Sequence, residues 1–295
     1  MLTFEQLDSG LGQPDECQPE WTAALDGGCI YLEQFYAQDV RTGSRWTDTF
    51  GGPSRFRSFA EKLEQQGIDH RLILTQDRDQ NDAAETFSST LVVADAKAAI
   101  RELESAVSDN SSTQQLLWLH IGRSEADESP ESFVQTLLGG IRELEEAPRK
   151  QTGFVVTGRR GSASSSAQGP AAGVDEAVIR LPAWIGLPGS QFVREQTLIG
   201  SHAIPELILR LMTDGEGSDA SAFHAPAFTI LADEYDAVRS VDAMVVRPDT
   251  VASDAVQDDQ QSLQLYLKPE DVWNVHDQAE VYADLRDELA TLLPE

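Results

Sequence analysis

Cysteine, positive charge and long apolar runs are all scarce in this chain, and each scarcity removes a class of protein. Two cysteines among 295 residues, Cys17 and Cys29, are too few for a disulfide framework and have no histidine at a metal-site spacing. They read as reduced thiols. No stretch approaches the roughly 18 consecutive apolar residues of a membrane helix, and the N-terminal MLTFEQLDSGLGQPDE has neither the basic nor the apolar region of a secretory leader. The expectation is a cytoplasmic protein without membrane contact. Lysine and arginine number 22 against 50 aspartates and glutamates, a formal net charge of −28. Only Lys62, Lys97, Lys150 and Lys268 are lysines, a bias that salt-adapted and GC-rich sources share. A surface field of that sign repels nucleic acid and anionic lipid, so neither is an expected partner.

What is present is an alternation of helix and strand patterns. The first sixteen residues are acidic and aperiodic. Cys29 to Tyr36 has the β-branched and aromatic content of one strand. Pro53 suits a first helical turn, and Phe56, Phe59, Ala60 and Leu63 recur at helical spacing until Gly67. A strand over His70 to Gln76, a brief apolar run at Leu91 to Val93, and a helix over Ala96 to Val107 follow. Gln115 to Ile121, QLLWLHI, is apolar almost throughout, as in a strand covered on both faces. A helix over Pro130 to Glu146 leads to a strand at Phe154 to Val156. This order predicts a mostly parallel sheet with helices on both faces, a three-layer α/β/α sandwich.

Further on, Gly161 to Gly173 is built of small residues and predicts a mobile loop. Pro182 demotes Val178 to Leu187 to an edge or irregular strand. Ser201 to Met212 reads as a helix. Phe228 to Leu231, Ala243 to Val246 and Leu263 to Leu267 read as a small antiparallel C-terminal portion, closed by a helix over Val281 to Leu293. The domain reading is an acidic leader at 1–16, an α/β core at 17–213, and antiparallel strands with a terminal helix at 222–295.

The segment with the most chemical content is Thr152 to Gly161, TGFVVTGRRG. It is a buried-strand pattern that runs into a glycine-flanked turn carrying Arg159 and Arg160. Ligands of α/β sheets bind at the carboxyl ends of strands, and two guanidiniums favour an anion over a metal cation.

Five stretches in this order resemble the sulfatase-like branch of the alkaline phosphatase superfamily: QLLWLHIG (115–122), GFVVTGRRG (153–161), IRLPAWIGLPG (179–189), SHAIPELILRL (201–211) and LYLKPEDVWNVHDQA (265–279). The last is the most specific, and the resemblance spans roughly residues 19 to 280. It implies an alkaline-phosphatase-like fold and hydrolysis of sulfuric or phosphoric esters. Catalysis in that family uses a divalent metal held by an Asp pair after the first strand and by a later Asp-His pair, with a Cys, Ser or Thr nucleophile.

This chain departs from that pattern at each part. Its start lies near the segment that normally follows the first strand, leaving no early Asp pair and an unpaired sheet edge for another segment or subunit to cover. Arg41-Thr42-Gly43-Ser44-Arg45 with Gly51 fits the nucleophile loop, with Ser44 and Arg45 in the Ser-Arg positions, but Arg41 stands where the nucleophile belongs. Arg159 and Arg160 replace the Asp-His pair. The expectation is therefore a catalytically inactive sulfatase-like protein without a metal or other cofactor, its ancestral Ca²⁺ or Mg²⁺ site lost. It would be retained for binding a small oxyanion or a sulfated or phosphorylated ligand through Arg41, Arg45, His120, Arg159 and Arg160, or for association with a protein partner or a second copy. The bland reading of the arginines is a solvated turn pairing with nearby carboxylates. The rival reading is a divergent metal-dependent ester hydrolase with Ser44 or Thr47 as nucleophile and Asp48 or Asp175 as ligand.

Overall fold

The computed structural model describes residues 2–6, 29–32, 34–41, 44–74, 86–93, 96–108, 114–121, 153–160, 172–181, 183–186, 193–214, 223–248, 263–271 and 274–294. The helix expected over Pro130 to Glu146 and most of the small-residue loop lie outside these residues.

The main layer is an eight-stranded sheet. In chain order its strands are β1 (Leu2–Gln6), β2 (Cys29–Leu32), β4 (Asp69–Leu74), β5 (Ser89–Val92), β6 (Gln115–Ile121), β7 (Phe154–Arg160), β8 (Ala183–Gly186) and β9 (Val193–Glu195). Across the sheet they run β5-β4-β6-β1-β7-β8-β2-β9. All neighbouring pairs are parallel except those made by β8, which is antiparallel to both β7 and β2. A two-stranded pair, β3 (Phe35–Tyr36) with β10 (Ile199–Gly200), stands apart from it.

The first strand is the most important correction to the sequence reading. Leu2 to Gln6, read as part of an aperiodic leader, forms β1 at the centre of the sheet, bonded to β6 on one side and β7 on the other. Five residues are too short to show periodicity, and this strand owes its place to the apolar strands that flank it. No edge is left by a missing first strand.

Three further elements differ from expectation. Cys29 to Tyr36 is two strands, because the chain turns at Gln34 and sends β3 to a different partner. Val178 to Leu187 is not an edge: a short helix, α3 (Glu176–Ile179), precedes β8, which lies inside the sheet between β7 and β2. The arginine pair is strand and not turn, since β7 continues to Arg160, opposite Gln6 of β1.

Helix α1 (Gly52–Gln65) follows the sequence pattern. Pro53 sits in its first turn, Phe56, Phe59, Ala60 and Leu63 are buried, and Gly67 ends it with φ 71°. These phenylalanines pack on Trp118 of β6, with ring centroids 5.0 Å (Phe56) and 6.3 Å (Phe59) away. Helix α2 (Ala96–Ser108) buries Ile100 and Leu103, and α4 (Ile204–Asp214) buries Leu207 and Ile208.

The C-terminal layer is a four-stranded antiparallel sheet of β11 (Ala227–Leu231), β12 (Tyr235–Ser240), β13 (Ala243–Pro248) and β14 (Gln264–Leu267), backed by α5 (Ala283–Ala290). It is joined directly to the core. Leu231 N–H donates to the Gln38 carbonyl at 3.0 Å, and Val40 N–H donates to the Leu231 carbonyl at 2.9 Å. The result is a mixed α/β architecture with a separate antiparallel sheet near the C-terminus.

Candidate functional site

The parallel strands β4, β6, β1 and β7 bring their carboxyl ends, Leu74, Ile121, Gln6 and Arg160, to one margin of the sheet, the place where open α/β sheets bind ligands. In register, His120 of β6 lies beside Leu74 and Thr3, and Thr3 beside Thr157 of β7. Aligned residues of parallel strands share a face, and successive positions alternate between faces. The side chains of Arg159 and Arg160 lie outside the described part of the structure.

The loop between β3 and α1 covers the His120 face. Trp46 stacks on the His120 imidazole, with centroids 5.1 Å apart and planes 19° from parallel, and meets Trp118 at 5.7 Å and Phe56 at 5.2 Å. His120 is buried within this aromatic wall. Sequence reasoning placed it at a strand end but missed Trp46, whose position seven residues before Pro53 carries no motif.

Ahead of Trp46 the loop is shaped by carboxylates. Arg41 folds back on Asp39, its Nε donating to Oδ1 at 3.1 Å and Nη2 to Oδ2 at 2.5 Å, while the Arg41 backbone N–H donates to Oδ1 at 3.1 Å. Asp39 is buried and Arg41 partly exposed, with side-chain exposures of 3% and 44%. The hydrogen bond to Asp39 raises the already high pKa of the guanidinium. Its fork, which could have clasped an oxyanion, is engaged within the chain.

The hydroxyls differ in setting. Ser44 donates its proton to the Arg41 carbonyl at 2.8 Å, an acceptor that cannot take the proton away as a base would. Thr47 is buried, and among the described residues no hydrogen-bond partner lies within reach of its Oγ1. The Arg45 backbone N–H donates to the Asp48 carboxylate at 2.8 Å, closing a turn into a 3₁₀ segment at Asp48–Phe50, and Gly51 ends that segment with φ 100°. Behind it, His202 Nε2 lies 3.2 Å from the Asp48 carbonyl, and burial lowers its pKa. Asp175 caps α3, accepting from Val178 N–H at 3.0 Å.

The divalent cation that the resemblance implies needs anionic oxygen or neutral imidazole. Near this margin, Asp39 is neutralised by Arg41, Asp48 serves a turn, and β7 ends in two arginines. Among the described residues no three His, Cys, Asp or Glu side chains gather as a metal site. The donors among the described residues do not make up a site for the cation.

No protein-family model matches the sequence, and a search of curated proteins returns no match. Solved structures do match. A Bacteroides thetaiotaomicron protein of glycosaminoglycan metabolism, designated 6S-sulf, has a TM-score of 0.69 at 10% identity over 99% of this chain and 97% of its own. The protein yidJ of Bacteroides fragilis, described as a sulfatase, has a TM-score of 0.63 at 9% identity over 99% and 93%. An alkaline phosphatase superfamily protein of Vibrio parahaemolyticus has a TM-score of 0.52 at 13% identity over 100% and 88%. With its central strand present and its antiparallel sheet in place, the chain has the sulfatase-like fold of the alkaline phosphatase superfamily.

Proposed function

We propose that this sulfatase-fold protein does not hydrolyse sulfuric or phosphoric esters and acts instead by binding an oxyanion-bearing ligand or a protein at the carboxyl margin of its sheet. The observation that carries the first half is the engagement of the nucleophile loop. Arg41 stands at the nucleophile position and is held by Asp39, and the Ser44 hydroxyl is committed to a carbonyl. A metal-assisted displacement needs an activated nucleophile and a cation to stabilise charge on oxygen. The described loop supplies neither. Oxyanion binding is favoured by guanidinium chemistry at the end of β7 and by neighbours of the same fold named for sulfated glycosaminoglycan metabolism. The arginines proposed to hold that ligand are Arg45 and Arg159.

The test has two arms. Aryl sulfate and aryl phosphate esters are offered with Ca²⁺, Mg²⁺, Mn²⁺ or Zn²⁺. Inertness throughout is expected, and turnover abolished both by chelator and by Ser44→Ala overturns the non-catalytic reading. Thermal shifts with sulfate, phosphate and chloride at matched ionic strength test the anion. A sulfate-specific gain that is lost in Arg45→Ala/Arg159→Ala is expected. A gain that persists in the double variant removes the oxyanion reading and leaves protein association.

A further inference from the structure

Where the antiparallel sheet meets the α/β core, charge is buried. Glu176 of α3, Arg239 of β12 and Lys268 at the end of β14 have side chains 8%, 2% and 0% exposed. Arg239 Nε donates to Glu176 Oε1 at 3.1 Å and Nη2 to the Tyr36 hydroxyl at 3.2 Å, with the guanidinium carbon 5.1 Å from the Tyr36 ring centre. Lys268 Nζ donates to Asn274 Oδ1 at 2.6 Å and to the Asp271 carbonyl at 2.5 Å, and lies 3.9 Å from Glu176 Oε1. Asn274 in turn donates to the Val174 carbonyl at 3.3 Å, just before α3. The cluster thus joins β3, the segment leading into α3, β12 and the turn after β14.

The two cations are not equivalent. Arg239 holds the Glu176 carboxylate directly, whereas Lys268 donates to two neutral oxygens and lies 3.9 Å from the Glu176 carboxylate, at the outer limit of an ion pair. An amine without its extra proton keeps two N–H donors and can hold both oxygens. A fully buried ammonium carries a desolvation cost that the neutral amine does not. We propose that Lys268 is a proton-labile pin, so that the C-terminal sheet is held to the core more tightly after Lys268 releases its proton than while it carries it.

The electrostatics agree in sign. Burial, the largest influence, lowers the Lys268 pKa from 10.5 to about 8; Arg239 lowers it too, while Glu176, Asp271 and Asp175 pull it up. Between about 8 and 10.5 the separated chain binds a proton that the packed chain does not, so rising pH favours the packed state. The useful window closes near 10. Burial raises the Tyr36 and Tyr266 pKa values above 10.0, so from there upward the unfolded tyrosines ionise first and stability falls.

The chain's four lysines make the test direct. In protein labelled with ¹³Cε-lysine, one resonance is expected to titrate near pH 8 and to vanish in Lys268→Met. Four lysines titrating together in the unaltered protein overturn the proposal. In urea, the unfolding constant of the unaltered protein relative to Lys268→Met is expected to fall by up to tenfold per pH unit between 8 and 10. Equal pH dependence of the two overturns it. Should Lys268→Met fail to fold, Glu176→Gln serves. Removing a carboxylate that favours the proton moves the odd resonance to lower pH, and an unmoved resonance counts against the pin.

Discussion

Asp39 and Arg41, two residues apart, neutralise each other at the entrance to the nucleophile loop. Because Asp39 is buried, losing the guanidinium exposes a desolvated carboxylate rather than a surface charge. Arg41→Ala is expected to lower stability by about 1–3 kcal/mol in urea unfolding, the range for a hydrogen bond to a charged group. Arg41→Gln, which keeps a donor but not the fork, should fall between the two. The resemblance sets Arg41 at the family's nucleophile position, a reading of residue identity alone. It did not reveal that Asp39 would claim the guanidinium, nor that Trp46 would stack on His120, because both depend on how the loop folds back. The arginine pair shows the same limit. TGRRG looks like a turn by composition, yet β1 offers ladder partners as far as Gln6 and draws β7 on to Arg160.

At the scale of elements, long periodic segments were legible and short ones were not. Helix α1 and strand β6 followed directly from Phe56, Phe59 and Leu63 at helical spacing and from the continuous apolar run at Gln115 to Ile121. β1 and β12 were missed, and β8 was misplaced to an edge, because strands of four to six residues take their position from their neighbours. β1 carries the sharpest consequence for stability. Thr3 pairs with His120 on one side and Thr157 on the other, so a proline there removes a donor in mid-sheet. Thr3→Pro should cost about 1–3 kcal/mol for the ladder acceptor left unpaired, while Thr3→Val, which keeps the backbone donor and β propensity, should leave the thermal midpoint nearly unchanged. Circular dichroism melts of the two variants check this, and a stable Thr3→Pro protein would contradict the central placement of β1.

For the whole molecule, charge is the dominant fact. A formal net charge of −28 on 295 residues makes the compact state repel itself, and dissolved salt screens that repulsion over a distance of about 10 Å at 0.1 M and about 3 Å at 1 M. The melting temperature is expected to rise by several degrees between 0.05 and 1 M NaCl, and a flat or falling profile would show that self-repulsion is not limiting. Composition alone carries this prediction, whereas the joining of the two sheets was beyond its reach: the Gln38–Leu231 hydrogen bond and the Glu176–Arg239 pair link residues far apart in sequence. The same separation governs β1. Leu2 pairs with Leu119 and Val156, so β1 can settle into the sheet only after β6 and β7, far downstream, have been made. A nascent chain of this protein must carry its own central strand unpaired through much of its synthesis. That places its window of greatest exposure to aggregation and to chaperones before Val156 emerges.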